Sequence, residues 1–450
     1  MTLAAVILAA GQGTRLKSSL PKVLHRLGGQ PLVRHALAAA QAVTGVPPVL
    51  VVGHGAEAVR AELGEAAQYV AQSEQLGTGH AVLQAAPLLR GRCTEVLVTY
   101  GDMPLLRVET LRALVQAQHF NPGPLSLLTI DAPQLRDFGR VVRDGFGKVR
   151  AIVEAAQATP EEQTITERNA GAYCFNADWL WAHLPRLPLS PKGEYYLTDI
   201  VALAAAEGGE IGTVATADEA EVTGINTRAQ LAQAEAALRA RINARWMAEG
   251  VTLIDPATTY IEPAVSLGRD TVIWPNTYLQ GETVVGAGCV LGPNTILRDT
   301  TLGDECQVEC SVLEGAWLGR GVEVGPFAHL RQGARLEDGV HMGNFGEVKN
   351  STLGPGVKMG HFSYIGDATI GADVNIGAGT ITCNFDGARK HKTVIGAGVF
   401  IGSDTMLVAP VHLGAGARTG AGSVVTKDVP PDSLAVGVPA RVIRKLKAQE

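Results

Sequence analysis

Aromatic residues make up only 5% of this 450-residue chain, although 46% of its residues are hydrophobic. Its core is therefore built mainly from aliphatic side chains, which suits a narrow structure better than a broad one. The chain also lacks a positive balance of charge, with a formal net charge of −6. This argues against a nucleic-acid partner held by bulk electrostatics. No apolar run approaches the length of a membrane span, so we expect no membrane insertion.

Paired cysteines are also missing. None of the six cysteines forms a C-x-x-C pair, and Cys306 and Cys310 have no second ligand pair at zinc-site spacing. Free thiols in a reducing compartment are the simpler interpretation. The opening run MTLAAVILAAG has no basic segment before it and reads as a buried strand, not a signal peptide. We therefore expect a cytoplasmic protein.

Glycine, by contrast, is abundant, with 53 residues. In the second half an aliphatic residue recurs every sixth position, usually followed by glycine: Leu279, Val285, Leu291, Leu297, Leu318, Val324, Leu330, Leu336, Met342, Val348, Ile395, Ile401, Leu407 and Leu413. A six-residue period fits neither an α-helix nor a simple strand, and it predicts a left-handed parallel β-helix with three short strands per coil. We expect roughly ten coils, since each takes about 18 residues.

Such a β-helix has the shape of a three-sided prism, and details of the repeat predict where this prism is irregular. The hexads begin near Leu267, and the count slips by one residue between 297 and 302, 348 and 353, and 365 and 370. The segment NFDGARKHK (384–392) interrupts the count and should be a loop that leaves the prism.

The first half of the chain has a different pattern of hydrophobic residues. Short aliphatic runs at 4–11, 49–53, 95–102 and 124–130 alternate with amphipathic stretches at 31–43, 55–63 and 80–89. This pattern predicts a doubly wound, Rossmann-like α/β domain of parallel strands, with ligands at the carboxyl ends of the strands. The segment 227–249 predicts one long helix. We therefore expect a first domain at 1–226, a linker helix at 227–249 and a β-helix domain at 250–450.

A glycine loop follows the first predicted strand. LAAGQGTRL (8–16) and LPKVLH (20–25) expose backbone N–H groups to phosphate and bring two cations, Arg15 and Lys22. A plain tight turn would explain the glycines, but it would not need the two cations. The loop is neither a Walker motif nor a dinucleotide fingerprint, because it has no G-K-S/T and no third glycine.

Two later segments converge on this loop. Gln72 and Gln75 stand before another glycine turn, and amide side chains can read the edge of a base. Asp102 ends a buried strand, where a carboxylate could hold a metal for phosphoryl transfer. A helix cap or turn is the alternative role for Asp102.

The prism carries a second candidate site. His361 is, apart from His391 in the loop, the residue of 360–405 with a pKa suited to a general base. A lone histidine on such a surface is usually just surface, but here it stands in the sequence GHFSYIGD.

With both halves considered, the chain resembles the sugar nucleotidyltransferases. More closely, it resembles the bacterial bifunctional uridylyltransferases and acetyltransferases that make UDP-N-acetylglucosamine. The resemblance covers nearly the whole chain. It implies acetyl transfer from acetyl-CoA to glucosamine-1-phosphate, then uridylyl transfer from UTP to N-acetylglucosamine-1-phosphate with release of pyrophosphate. It also implies Mg²⁺ and a homotrimer assembled through the β-helix.

The resemblance assigns roles in the first half. Arg15 and Lys22 would bind phosphates and act in catalysis, and Asp102 with Asn226 would hold Mg²⁺. The nucleotide would contact Leu8, Ala9, Ala10, Gly11, Lys22, Gln72, Gln75, Gly77 and Thr78. N-acetylglucosamine-1-phosphate would contact Tyr100, Gly101, Asp102, Gly139, Glu154, Asn169 and Asn226.

It also assigns roles on the prism, where His361 would be the catalytic base. The sugar phosphate would lie on Arg331, Lys349, Tyr364 and Asn375. Acetyl-CoA would lie across the seam between two prisms, against Ala378, Asn384, Phe385, Ser403 and Ala421. Two positions depart from better-known relatives. Phe385 stands where those relatives have a tyrosine. The position of a family arginine that contacts coenzyme A corresponds to about Gly437 here, and Arg441 is a possible substitute for it.

Other functions stay open at this point. The chain could be a monofunctional sugar-1-phosphate nucleotidyltransferase whose prism serves oligomerisation or effector binding, or a regulatory subunit without catalysis. A zinc hydratase on the same prism is a further alternative, although the sequence shows no constellation of histidine ligands.

Overall fold

The computed structural model describes residues 2–446. The chain divides into two compact units, Met1–Leu238 and Arg239–Glu450. The division falls within one long helix, Arg228–Ala248, which agrees with the helix predicted at 227–249. The domain limits given above remain predictions.

The first unit is built on a nine-stranded sheet. The strands of this unit, including a separate two-stranded ribbon of β2 and β3, are β1 (Leu3–Ala9), β2 (Arg26–Leu27), β3 (Gln30–Pro31), β4 (Val49–Val52), β5 (Gln68–Ala71), β6 (Glu95–Tyr100), β7 (Leu125–Asp131), β8 (Arg140–Arg143), β9 (Val149–Val153), β10 (Glu167–Asn176) and β11 (Ile211–Thr216). The main path runs β11-β7-β10-β6-β1-β4-β5. Strand β4, all aliphatic, is buried along its whole length, as a central strand covered on both faces requires.

Helices cover both faces of this sheet. They are α1 (Leu32–Thr44), α2 (Ala56–Leu63), α3 (Thr78–Leu83), α4 (Ala86–Leu89), α5 (Val108–Phe120), α6 (Ala177–His183), α7 (Asp199–Ala206), α8 (Glu219–Val222) and α9 (Arg228–Ala248). Two large apolar clusters, one on each face, form most of the core, and a third, smaller cluster includes Leu32, Ile225 and Ala234. The predicted helix at 80–89 is two short helices, because Pro87 occupies the first turn of the second one.

The sheet is mixed, whereas the sequence pattern predicts parallel strands throughout. Strands β1, β4, β5 and β6 pair in parallel, as predicted. Strand β10 lies between β6 and β7 and is antiparallel to both. The hairpin β8–β9 reverses the chain before β10 enters the sheet, and nothing in the apolar pattern of 124–130 indicates that insertion.

The second unit is a three-sided parallel β-helix. The first face has 12 strands: Thr252–Leu253, Val272–Ile273, Val290–Leu291, Gln307–Val308, Glu323–Val324, His341–Met342, Lys358–Met359, Asn375–Ile376, Phe400–Ile401, Arg418–Thr419, Ser433–Gly437 and Ala440–Lys445. The second face has 10: Thr259–Ile261, Thr277–Gln280, Ile296–Arg298, Val312–Glu314, His329–Leu330, Gly346–Lys349, Ser363–Gly366, Ile381–Cys383, Met406–Val408 and Val424–Val425. The third face has nine: Ser266–Leu267, Val284–Val285, Thr301–Leu302, Trp317–Leu318, Arg335–Leu336, Thr352–Leu353, Ala368–Ile370, Thr393–Ile395 and Val411–Leu413.

The hexad residues fill the prism, as predicted. Leu279, Leu330 and Ile401 are wholly buried, and the residue before each points outwards. The first coil begins before the first recognisable hexad at Leu267, because Thr252 and Leu253 already pair with the strand of the next coil. The hexad count misses this coil since a short 3₁₀ turn, Pro256–Thr258, lengthens its first corner.

The three slips in the hexad count have a common structural cause. Each contains an Asp or Asn in the left-handed region: Asp299 (φ 49°), Asn350 (φ 45°) and Asp367 (φ 51°). Asp and Asn tolerate the left-handed conformation. In this conformation the chain turns the corner of the coil with one residue fewer. The segment 384–392 leaves the prism between Ile381–Cys383 and Thr393–Ile395, as predicted.

Membrane insertion was not expected from the sequence. Within residues 2–446, no helix combines the length and apolarity needed to cross a bilayer.

Candidate functional site

A cavity of about 270 Å³ lies at the carboxyl ends of β1 and β6 in the first unit. Its lining includes all nine residues predicted to contact the nucleotide, together with Tyr100 and Asp102. They come from four separate segments of the chain, which the parallel strands bring to the same edge of the sheet. This cavity is therefore the best candidate for a nucleotide pocket in this unit.

Two amide side chains are held in fixed positions in this pocket. Gln75 Nε2 donates to the carbonyl oxygen of Ala10 at 3.0 Å, and Gln72 Nε2 donates to that of Gly77 at 3.0 Å. Gln72 is almost fully buried. In this orientation each amide keeps its Oε1 atom for an N–H donor, such as the imide of a pyrimidine base.

Gly77 lies where the pocket wall meets another loop. It has φ +98°, and a Cβ atom there would lie 2.6 Å from the carbonyl oxygen of Tyr195 and 2.8 Å from its nitrogen. Tyr195 itself donates its N–H to Leu76 and accepts from Gly79. The close backbone approach shapes the pocket on both sides and requires glycine.

Gly77→Ala should therefore weaken UTP binding by about 10- to 100-fold, because the added Cβ displaces a pocket wall that the ligand contacts. Gly208→Ala is a matched control, since Gly208 has φ +75° but no atom within 4 Å of the added Cβ. Isothermal titration of both variants with UTP measures the difference. Equal affinities in the two variants would mean that the close approach at Gly77 does not shape the pocket.

One cation and two oxygen ligands meet at the end of β6. Lys22 Nζ forms an ion pair with Asp102 Oδ2 and donates to Asn226 Oδ1 at 2.8 Å. The N–H of Ile225 donates to the carbonyl oxygen of Asp102 at 2.9 Å, which ties the segment carrying Asn226 to the end of β6. The side chains of Lys22 and Asp102 are largely buried, at 13% and 17% exposure.

The same geometry fits a divalent cation. Asp102 and Asn226 direct an oxygen each at one positively charged group, and both are oxygen ligands of the kind Mg²⁺ accepts. Two protein oxygens suffice for a site that also uses water and phosphate oxygens. Lys22 would have to move aside for such an ion, towards the phosphates it is predicted to bind.

The predicted sugar contacts are only partly joined to this pocket. Asn169 donates from its backbone to Gly139 at 2.9 Å and from its side chain to Tyr173 Oη at 2.6 Å, so Gly139 and Asn169 are neighbours. Glu154 accepts a hydrogen bond from Thr198 Oγ1 at 2.8 Å and lines an adjacent, larger cleft. Gly101 is buried at the end of β6.

Arg15 is not brought into the pocket. It lies exposed in the turn Thr14–Leu16, between two residues in the left-handed region, Gly13 and Lys17. The pocket instead includes four residues that the sequence analysis missed: Val23, Ala81, Glu194 and Tyr196. No local pattern marked Glu194 or Tyr196. These two residues reach the pocket from a loop more than 90 residues beyond Asp102 in the sequence.

Four of the predicted prism residues line up along the corner between the first and second faces. Each stands three residues after a strand residue of the first face, and those strand residues pair coil by coil. Asn344 occupies the same place on the preceding coil and was not predicted. We name these five residues the corner column: Asn344, His361, Ala378, Ser403 and Ala421. Successive members are about 4.8 Å apart, the spacing of paired strands. His361 is exposed and has no hydrogen-bond partner among residues 2–446. Asn375 lies on the first face, three residues before Ala378, and points outwards because Ile376 is buried.

The other predicted residues lie at the opposite edge of the second face. We name this set the edge group: Arg331, Lys349, Tyr364 and Asn384. Tyr364 Oη and Asn384 Nδ2 both lie over Gly366, where a Cβ atom would be 2.4 and 2.8 Å from them. Lys349 is the register partner of Gly366 on the preceding coil. Arg331 donates to Glu347 at 2.9 Å.

A further cation, missed by the sequence analysis, joins the edge group. Lys390 lies beside Lys349, and its positive charge, with that of Arg331, lowers the pKa of Lys349. Glu347 and Asp367 lie near these cations but do not cancel the repulsion at Lys349, so a bound anion would stabilise the cluster. The edge group is therefore a candidate phosphate site.

The loop that carries Phe385 and Lys390 has its own internal support. The Asp386 carboxylate accepts from the N–H groups of Ala388 and Arg389, at 2.7 and 2.6 Å, and from His391 at 2.7 Å. These contacts hold the pKa of Asp386 well below its usual range. His391 is thus engaged within the loop, whereas the side chain of Phe385 is 59% exposed.

The two sets of residues lie at opposite edges of one face of the prism. The corner column precedes the strands of the second face, and the edge group lies at or beyond their ends. The sequence prediction of a seam between prisms is compatible with this arrangement but is not tested by it.

Comparison with known proteins agrees with both units. The MobA-like NTP transferase domain matches residues 5–138, and the bacterial transferase hexapeptide matches 264–299 and 392–427. The hexapeptide match agrees with a left-handed β-helix for the second unit.

Curated relatives match almost the whole chain. The bifunctional protein GlmU of Azotobacter vinelandii is 50% identical over 440 residues, which are 97% of this chain and 96% of that protein. The protein of the same name from Stutzerimonas stutzeri is 49% identical over 440 residues, with the same coverage. That from Heliobacterium modesticaldum is 48% identical over 433 residues, 96% of this chain and 94% of the relative. The chain belongs to the GlmU family of bifunctional enzymes, which join a nucleotidyltransferase to a hexapeptide-repeat acetyltransferase.

Proposed function

We propose that the two units catalyse consecutive steps of UDP-N-acetylglucosamine synthesis. The second unit transfers an acetyl group from acetyl-CoA to glucosamine-1-phosphate. The first unit joins the product to the uridylyl group of UTP and releases pyrophosphate. The observation that carries the proposal is the pocket at the end of β1 and β6, whose lining includes all nine predicted nucleotide contacts.

In the first unit the chain mainly positions its substrates. Gln72 and Gln75 offer amide oxygens to the uracil edge, while the backbone of Ala10 and Gly11 lies along the nucleotide. Lys22 neutralises charge on the phosphates as the sugar phosphate oxygen approaches the α-phosphorus in line. In phosphoryl and nucleotidyl transfer, positioning and charge neutralisation account for most of the catalysis.

Asp102 and Asn226 are the residues that would hold Mg²⁺. When bound, the ion would supply positive charge against the phosphate oxygens. The exposed Arg15 is proposed to contact the outer phosphates, and Gly139, Glu154 and Asn169 to bind the N-acetylglucosamine.

In the second unit His361 is proposed to accept the amine proton of glucosamine-1-phosphate as the amine attacks the thioester carbonyl. His361 has a solvent-facing ring without a partner, so its nitrogen can reach a substrate. Arg331, Lys349 and Lys390 would hold the phosphate, and Tyr364 and Asn375 the sugar. Ala378, Ser403 and Ala421 would contact acetyl-CoA along the corner column.

A homotrimer is part of the proposal. The corner column and the edge group lie exposed on one face of the prism, and we expect a neighbouring copy to cover this face and enclose the bound substrates. The hexapeptide-repeat fold supports oligomerisation in general terms. All six cysteines are unpaired, which supports the proposed location in the reducing cytoplasm.

The alternatives fit the observations less well. A prism used solely for oligomerisation does not need the cationic edge group or the ordered loop at 384–392. A regulatory subunit would not need Lys22 between Asp102 and Asn226. A zinc hydratase needs a ligand cluster, and residues 2–446 contain no group of three or more His, Cys, Asp or Glu side chains suited to a metal.

A coupled assay tests the whole proposal. Purified protein with glucosamine-1-phosphate, acetyl-CoA, UTP and Mg²⁺ should yield UDP-N-acetylglucosamine, free coenzyme A and pyrophosphate. Omission of acetyl-CoA should stop the product, and direct addition of N-acetylglucosamine-1-phosphate should restore it. Absence of the product in both reactions would exclude the proposed function.

A chain that ends at Ala248 should keep uridylyl transfer, lose acetyl transfer and be monomeric. The first unit contains its own sheet and all three of its apolar clusters, while the residues proposed for acetyl transfer all lie beyond 330. Light scattering and separate assays of the two reactions check the result. If the truncated chain folds but catalyses neither reaction, the two sites are not independent.

A further inference from the structure

A second, larger cleft opens beside the nucleotide pocket, and its lining is rich in cations. The cleft has a volume of about 850 Å³. Four cationic side chains line it, Arg136, Arg140, Arg168 and Lys192, against two carboxylates, Asp137 and Glu154. A volume of this size lies within the range of small-molecule sites.

Two of these cations are almost completely buried. Arg140 is 5% exposed and Arg168 is 2% exposed. Neither forms an ion pair with a carboxylate among the described residues, and burial together with the charge of Arg140 lowers the pKa of Arg168. The negative charge of Asp131 acts in the opposite direction and raises the pKa of Arg168. Buried charges of this kind are usually paired, because an unpaired one is costly.

The two guanidinium groups do have hydrogen bonds, all to backbone carbonyl oxygens. Arg168 donates to Leu135, Ile165 and Pro133, and Arg140 donates to Arg136 and Phe138. These bonds tie the loop before β8 in place, which is a structural role. They include no carboxylate, so neither guanidinium group is ion-paired, and Arg140 Nε remains buried without any hydrogen-bond partner among the described residues.

Arg136 and Lys192 have no comparable structural role. Neither side chain forms an ion pair or donates a hydrogen bond to another described residue. They approach the cleft from different segments, one before β8 and the other before α7. Four cations converge on the cleft from three separate segments, and two of them are buried without an ion-pair partner. This is an electrostatic environment suited to an anion.

We propose that this cleft binds the phosphate group of a small phosphorylated metabolite, at a site distinct from the nucleotide pocket. Arginine forks and a lysine ammonium are the groups that recognise phosphate oxygens best. Tyr196 lines both cavities and Glu154 lines this cleft, so the bound metabolite lies next to the proposed sugar site. A ligand there is placed to influence sugar-phosphate binding.

Hydrogen–deuterium exchange of the full-length protein, titrated with inorganic phosphate against chloride of equal ionic strength, tests this proposal. Saturating UTP is present so that phosphate does not occupy the nucleotide pocket. Peptides covering 133–140 and 160–168 should become protected with a single saturable midpoint. The assay measures binding alone and does not depend on either proposed reaction.

The variant Arg136→Ser with Lys192→Ser removes two exposed cations without touching the buried guanidinium groups. It should raise the phosphate midpoint by about tenfold or more, since each charged hydrogen bond contributes strongly. The double variant Arg92→Ser with Lys148→Ser has the same charge change at exposed positions outside the cleft, and it should bind like the parent. Lack of protection in the parent with UTP present, or an equal shift in both double variants, would overturn the proposal.

Discussion

Asp102→Asn should reduce UDP-N-acetylglucosamine formation by about 10³-fold or more and leave acetyl transfer unchanged. The substitution keeps the size of the side chain but removes the charge that faces Lys22 and the proposed cation. A carboxylate that holds a metal against transferring phosphates contributes several kcal/mol to the transition state, and each 1.4 kcal/mol is about tenfold in rate. Steady-state rates at a series of Mg²⁺ concentrations measure the effect.

The matched control is Asp178→Asn, an exposed carboxylate in the first turn of α6. This variant should have the parent's rate and the parent's dependence on Mg²⁺. Acetyl transfer by Asp102→Asn, assayed in the same preparation, shows that the second unit is folded, and UTP binding by isothermal titration serves as the check on the first unit. An Mg²⁺ dependence in Asp102→Asn equal to that of the parent would show that the metal is held elsewhere.

His361→Ala should slow acetyl transfer by about 10²–10⁴-fold, which is the usual contribution of a positioned general base. Uridylyl transfer should be unchanged, because His361 belongs to the prism and the nucleotide pocket belongs to the other unit. The KM for acetyl-CoA should change little, since Ala378, Ser403 and Ala421 are the members of the corner column that are proposed to contact that substrate.

His412→Ala serves as the control for this prediction. His412 is also exposed, but it lies on a strand of the third face, away from the corner column. Acetyl transfer by both variants should be followed between pH 6 and 9, where a histidine base changes its protonation. Near-normal rates of His361→Ala over this range would mean that binding and oxyanion donors carry the catalysis without this base.

The local pattern of the sequence determined the class of both units and the position of the first site. Six-residue periodicity has one structural solution, a three-sided coil, so the hexads alone predict the prism and which residues fill it. A strand that runs directly into a glycine loop places Ala10, Gly11 and Lys22 at one sheet edge. The same rule placed Asp102 there, at the end of another buried strand.

Other features depend on contacts between distant segments, and no local pattern carries them. The antiparallel insertion of β10 follows from the hairpin that precedes it. Glu194 and Tyr196 complete the nucleotide pocket from a loop with no recognisable motif. Lys22 and Asn226 are 204 positions apart in sequence, yet they form one hydrogen bond.

Tertiary structure also decided how the predicted residues are grouped. The sequence marked His361, Lys349 and Asn384 as parts of one chemistry, and only the coil register shows that they occupy two edges of a face. The positive cleft beside the nucleotide pocket is likewise invisible in sequence, because Arg136, Arg168 and Lys192 come from three separate segments. Short-range patterns report the period and the turns of a chain, whereas the convergence of charges is set by how the folded segments pack.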